Sequence, residues 1–353
     1  MKDKTFVITI ISLVILSIFP VGFFNYLIDP MWTFNQSNPY NDVQTVINER
    51  QQKTNTIHFQ PFEYDTLLLG SSRSTYINQH EFKDMSVYNY AVSDMSILEY
   101  KSFLDFAKRE KGSEFKTIIL GLDFFKTSVQ ESKPLSIDDY VAAANEPFYR
   151  YKNLLSKEIL EYSWRNYQMS RADKIVEVRN YNRENVASAM AIDPDVKIDQ
   201  TTEKIQKFRD VFYGDTYEYN PEYKNILKEL KENNPKTSFI VFTTPISTEL
   251  FQALVDEGRL EDYDQWLRDI ISEFGGVYNF MYPNSVTNDI YNYFDGHHFY
   301  PHVGTFIAHR ISNPSDPSLP HDFGQYIDAN GIDAHLLEIR ELSNQLVTKK
   351  NER

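Results

Sequence analysis

The segment Thr5–Ile28, TFVITIISLVILSIFPVGFFNYLI, carries no formal charge. At about 1.5 Å per residue it makes roughly 36 Å of helix, enough to cross a hydrocarbon core of about 30 Å with some tilt. Pro20 is a candidate kink point inside it. Lys2 and Lys4 precede the segment and Asp29 follows it, so the positive-inside bias predicts a cytoplasmic N-terminus and an exterior location from Asp29 onward. No small-x-small site closes the stretch, which favours an uncleaved anchor over a signal peptide. Residues 1–30 are therefore expected to form a single-pass transmembrane signal-anchor in the cell membrane.

The charge balance narrows the partners. Lys plus Arg is 36 against 50 Asp plus Glu, a formal charge of −14, and no Lys/Arg-rich run is present. Nucleic acid is not an expected partner. Cysteine is absent, which removes disulfides, thiolate metal sites and cysteine nucleophiles together. With 41% hydrophobic residues, a chain of this length can bury a sizeable core.

From about 31 to 62 the chain is polar and punctuated, with DPMW, NQSNPYND and NERQQKTNTIHFQ, and reads as a stalk. Residues 63–353 read as an extracytoplasmic domain. Tyr64–Gly70, Val87–Val92, Thr117–Leu122, Ser238–Thr243 and Gly276–Met281 are short apolar runs of the kind that strands make when both faces are covered. Ile97–Lys108, Glu222–Asn233, Leu250–Phe274 and Pro301–Ile311 read as helices. This alternation predicts an α/β fold, a doubly wound and mostly parallel sheet. Between 127 and 220 the strand signal disappears and amphipathic stretches such as Asn153–Met169 and Thr201–Phe212 take over, so a helical insertion is expected there.

Two short motifs can carry chemistry. Ser72, in Gly70-Ser71-Ser72-Arg73-Ser74, directly follows the first apolar run, and the carboxyl ends of strands are where open α/β sheets bind ligands. A serine-rich turn capping the next helix is the plainer alternative. In Asp295-Gly296-His297-His298, a histidine three residues after an aspartate can point Nδ1–H at the carboxylate and turn its other nitrogen outward, as a Ser-His-Asp relay requires. The alternatives are an aspartate capping its own turn, or a metal site drawn from Asp295, His297, His298 and His302. Tyr293, Phe299 and Tyr300 could stack on a sugar or pack in the core.

Together, GxSxS after the first buried strand and DxxH before a late helix resemble the SGNH/GDSL hydrolase superfamily, over roughly residues 60–315. The resemblance implies an SGNH/flavodoxin-like fold, with Ser72 as nucleophile and Asp295 and His298 as the triad acid and base. The family's second block, N-x-x-x-x-G, falls on Asn89 to Asp94, so Asp94 stands where a glycine amide donates to the oxyanion. The third block, G-x-N-D, falls on Gly121-Leu122-Asp123, where ionised Asp123 cannot donate as asparagine does. Asp94, Asn89, Asp123 and Arg73 are thus the expected oxyanion or substrate residues, Arg73 either steering an anionic acceptor or pairing with Asp94 or Asp123. The chain is most similar to the exported, membrane-anchored branch that acylates cell-envelope polymers. By that resemblance it transfers an acyl group, expected to be acetyl, to an extracytoplasmic polysaccharide beside a membrane-bound O-acyltransferase, with no cofactor. Deacetylation, D-alanyl transfer to teichoic acid, and a non-catalytic polysaccharide-binding role are the alternatives.

Overall fold

The computed structural model describes residues 2–351 other than 134 and 136. The chain divides into two compact units, one of residues 63–135 with 191–353 and one of residues 1–62 with 136–190.

The first unit is a mixed α/β fold built on a six-stranded sheet. Its strands are β1 (Thr66–Leu69), β2 (Val87–Asn89), β3 (Thr117–Leu122), β4 (Ser238–Thr243), β5 (Gly276–Asn279) and β6 (Gln325–Asp328). Their order is β2-β1-β3-β4-β5-β6. The first five run parallel, and β6 pairs antiparallel with β5. Leu67, Leu68 and Leu69 of β1 and Ile118, Ile119 and Leu120 of β3 have no exposed surface, which is why these strands read as unbroken apolar runs rather than alternating ones. β6, with the sequence QYID, lacks such a run and was not among the expected strands. Because β1 lies between β2 and β3, the chain leaves β1 towards one neighbour and later returns on its other side. Their carboxyl ends border the crevice that forms where strand order reverses.

Helix boundaries follow local chemistry. The helix Tyr100–Lys111 is preceded by a capping box of Ser96 and Glu99 and stops at Gly112, whose φ of 73° is left-handed, the usual helix-ending conformation. Leu250–Phe274, expected as one helix, is two: Thr248–Asp256 and Leu260–Phe274. Gly258 between them takes φ 72°, which a continuing helix does not permit. An aromatic cluster fills the core, with Phe124 against Tyr213, Tyr217, Tyr263 and Trp266 at ring separations of 5.6–6.0 Å.

The second unit contains the helix Lys2–Ile28, long and apolar enough to cross a membrane. Its described side chains from Lys4 to Pro20 are exposed, whereas Asn25 and Ile28 are buried. The carbonyls at its end, which lack helical partners, are met by side chains from residues expected to be a stalk. Leu27 O accepts from Asn38 Nδ2 (2.9 Å) and Asn41 Nδ2 (3.1 Å), and Ile28 O from Gln44 Nε2 (3.3 Å). The rest of that supposed stalk is also folded. Glu49–Phe59 is a helix, and Gln44–Thr45 pairs with Asn180–Tyr181, itself paired with Ala187–Ser188. Gln52 Nε2 donates to Pro30 O (2.9 Å) and Asn55 Nδ2 to Met31 O (2.8 Å). Polar side chains are tolerated in an interior when each finds a partner, so Gln44, Gln52 and Asn55 sit in the core of a folded unit. The expected insertion, 127–220, is likewise divided between units: residues 136–190 belong to this one, and 127–135 and 191–220 to the sheet unit.

Candidate active site

Ser72 lies two residues past Gly70, in the turn that leaves β1. Two glycines make this turn possible. A Cβ at Gly70 would stand 2.2 Å from Ser74 Oγ, and one at Gly121 on β3 would stand 2.3 Å from the same atom, so Ser74 fills the space both leave empty. Asn89 at the end of β2 fixes the turn further. Its amide donates to Ser74 O and Ile77 O, both at 2.9 Å. Of residues Ser71–Ile77 only Ser72 is not buried; the turn holds its neighbours inside and presents this one hydroxyl.

The partner motif folds around Gly296, whose φ is 69°. A Cβ there would meet Thr201 Cγ2 at 2.8 Å, so both conformation and space call for glycine. The resulting turn wraps the backbone onto Asp295: Oδ1 accepts from His297 N (3.1 Å) and His298 N (2.7 Å). Asp295 Oδ2 lies 2.9 Å from His298 Nδ1, and His298 Nε2 lies 2.9 Å from Ser72 Oγ. A carboxylate only accepts, so Nδ1 of the neutral ring carries the proton and Nε2 is left to accept from the serine hydroxyl. Phe294 stacks on the His298 ring at 5.4 Å and 2°, fixing its plane.

Burial works against charge on Asp295, but His298, Lys204 and the His298 backbone N–H outweigh it and hold this carboxyl well below the usual carboxylate range. Lys204, on the helix Pro194–Lys207, reaches Asp295 Oδ2 at 3.0 Å. No sequence signal singles it out, because in a charged helix it looks like any solvated lysine.

The four residues expected around the oxyanion fall into two groups. Asn89, Arg73 and Asp123 are buried and bonded within the protein. Arg73 Nη2 donates to Asp123 Oδ1 at 2.7 Å, Thr244 Oγ1 donates to the same oxygen at 2.5 Å, and the Arg73 and Asp123 side chains are 1% and 2% exposed. Arg73 is thus paired with Asp123, and neither presents itself to an incoming molecule. Asp94 alone is exposed. Its φ is 57°, a left-handed conformation that glycine adopts freely, so the backbone keeps the shape a glycine would take. Its carboxylate bonds Lys126 Nζ, which also reaches Glu131 Oε2 at 2.7 Å. Lys126 was not among the expected site residues.

The other candidates are placed elsewhere. Tyr293 and Phe299 have no exposed surface and belong to the core, while the Tyr300 hydroxyl accepts from Ile192 N at 3.3 Å. His302 Nε2 bonds Asn292 Oδ1 at 2.8 Å. Among the described residues no group of three or more His, Cys, Asp or Glu is placed to hold a metal ion.

Two expectations follow. The helix Pro301–Ser312, which begins just after His298, packs onto the nucleophile turn through Gly304, where a Cβ would stand 2.5 Å from Tyr76 O. Backbone cannot rotate out of the way, so Gly304→Ala should cost about 1–3 kcal/mol and separate His298 from Ser72. Thermal melting and the rate of labelling by a serine-directed fluorophosphonate should fall together. Second, burial pushes His297 well below the usual imidazole range, and Arg73, His298, Lys204 and Lys126 add to the effect. The unfolded chain takes up that proton at about pH 6.5 and the folded chain does not. Its contribution to stability is therefore complete above about pH 6.5 and declines below it, by up to about 1.4 kcal/mol per pH unit. Urea midpoints between pH 7.5 and 5 should depend less steeply on pH in His297→Leu than in the parent chain.

Compared with known proteins, the chain matches no family model and no curated sequence.

Proposed function

We propose that this protein is a membrane-anchored acyltransferase that carries an acyl group, expected to be acetyl, on Ser72 and passes it to a hydroxyl of an extracytoplasmic cell-envelope polysaccharide. The observation that carries this is the unbroken chain Ser72 Oγ, His298 Nε2, His298 Nδ1, Asp295 Oδ2, with both links at 2.9 Å. In the first half-reaction Ser72 Oγ attacks the acyl carbonyl as Nε2 takes its proton, which then passes to the leaving group. In the second, Nε2 takes the proton of the acceptor hydroxyl, whose oxygen attacks the acyl-serine, and Ser72 Oγ recovers the proton as it leaves. Asp295 keeps the ring oriented and stabilises it when charged. The proposed oxyanion donors are the backbone N–H groups of Ser72 and Asp94. Arg73 and Lys126 neutralise the two carboxylates that would oppose them.

The resemblance to the SGNH/GDSL superfamily supports the same chemistry, and the apolar helix Lys2–Ile28 supports an anchored enzyme whose globular part lies outside the cytoplasm, acting on a surface-bound acceptor beside a membrane-bound O-acyltransferase. The test is product analysis. Given an acetyl donor and isolated envelope polysaccharide, the full chain should raise polymer-bound ester. Loss of ester from an acetylated polymer, with no gain from the donor, would assign hydrolysis instead.

A further inference from the structure

The helix Lys2–Ile28 and the helix Tyr149–Leu154 wall an open apolar groove of about 490 Å³, lined chiefly by Ile18, Phe19, Gly22, Phe23, Tyr151 and Leu155. That volume is in the range of sites for small apolar ligands. Gly22 opens it, and the Tyr26 hydroxyl at its end is already bonded by Gln36 Nε2 at 2.5 Å, so little in the lining asks for a polar partner.

Its position says what would fill it. The apolar stretch from Thr5 to Pro20, exposed at its described side chains, makes about 24 Å of helix, close to the thickness of a hydrocarbon core. Immediately beyond it the helix becomes part of the folded unit, where Asn25 Nδ2 donates to Leu154 O at 2.9 Å. The groove therefore straddles the outer end of the span, where acyl chains meet headgroups. Tyr151 and Leu155 of its lining and Phe148, just before the helix that carries Tyr151, are all exposed, although a folded surface in water would be expected to bury such a group. Aromatic side chains concentrate at that membrane depth. Phe148 is held there with a left-handed φ of 63°.

We infer that this groove takes an acyl chain of an outer-leaflet phospholipid, so that the segment 148–155 lies in the membrane interface. The inference rests on the anchor reading above. Its test uses the full chain in phosphatidylcholine vesicles containing a phospholipid with a diazirine along one acyl chain. After irradiation, cross-linked peptides are mapped. Label is expected on residues 4–20 and on 148–155. In Gly22→Leu the label on 148–155 is lost and that on 4–20 is unchanged, because the new side chain occupies the groove. A Cβ at 22 meets only Leu155 Cδ2 at 3.4 Å and Leu154 O at 3.9 Å, and leucine is the better helix former, so the variant folds. Label on 4–20 with none on 148–155 in the parent chain overturns the proposal and leaves the groove to a helix of a protein partner. Equal label on 148–155 in Gly22→Leu overturns it as well. No label on either segment, with the chain released by alkaline carbonate, overturns the anchor itself.

Discussion

Ser72→Ala should lower acyl transfer by something on the order of 10⁶-fold while leaving the melting temperature unchanged. The two expectations have different causes. Removing Oγ deletes the atom that would carry the acyl group, and nothing nearby replaces it: Ser71 and Ser74 are buried and Ser74 is wedged between two glycines. Structurally the hydroxyl makes its bond to His298 on the one half-exposed residue of its turn, and changes at such positions stay within about 0.5 kcal/mol. Polymer acylation and thermal melting, measured on the same preparation, separate these effects. A large drop in melting temperature would mean that Ser72 holds the fold and that lost activity says nothing about chemistry.

Arg73→Met should be the most damaging single change to stability. The guanidinium is the main compensation for a carboxylate on Asp123 that is almost wholly withdrawn from water. Taking away one partner of a buried pair strands the other charge, at a cost of about 3–5 kcal/mol. In a unit of this size, that corresponds to a fall in melting temperature on the order of 10 °C. The double variant Arg73→Met with Asp123→Asn should recover most of it, because the asparagine side chain would keep an acceptor for Thr244 Oγ1 and carry no charge. Denaturant titrations of the two single variants and the double variant give the coupling directly. If the single variants cost under about 1 kcal/mol, as for a solvated surface pair, then the pair is not buried in solution and Arg73 returns as a candidate to meet an anionic acceptor.

How much of this was legible beforehand follows from what kind of signal each element leaves. β1 and β3 are covered on both faces and β4 over its last three residues, so Leu67–Leu69, Ile118–Leu120 and Val241–Phe242 appear as apolar runs in the sequence. β6 escaped because Gln325–Asp328 is a short edge strand with a single buried apolar residue, Ile327, between the exposed Tyr326 and the half-buried Asp328. Gly258 was visible but its φ was not, and a single glycine within an amphipathic stretch does not by itself mark a break. The misread stalk has a more general cause. Gln44, Gln52 and Asn55 are polar and fully paired inside the protein, and hydropathy cannot distinguish a satisfied amide in a core from one in water.

At the site, spacing within a turn was readable and contact across the fold was not. Asp295 and His298 share one turn, so their geometry follows from three intervening peptide bonds and a glycine. Ser72 joins them because the turn after β1 packs at Tyr76 against the helix Pro301–Ser312, close in through Gly304. Lys204 and Lys126 approach their carboxylates from other segments, and each leaves in the sequence only a lysine among many. Asn89, Arg73 and Asp123 were expected to meet the oxyanion or substrate, but all three are buried and bonded within the protein, around the turn that carries Ser72.

The most direct measurement is to expose the full chain to 4-nitrophenyl acetate, quench it in acid, and sequence its peptides by mass spectrometry. Acyl transfer through this relay requires a single acetyl group on the peptide carrying Ser72, absent in Ser72→Ala and discharged to polysaccharide when the acceptor is added before the quench. Acetyl groups scattered over surface lysines, with Ser72 unmodified in a folded chain, would contradict it.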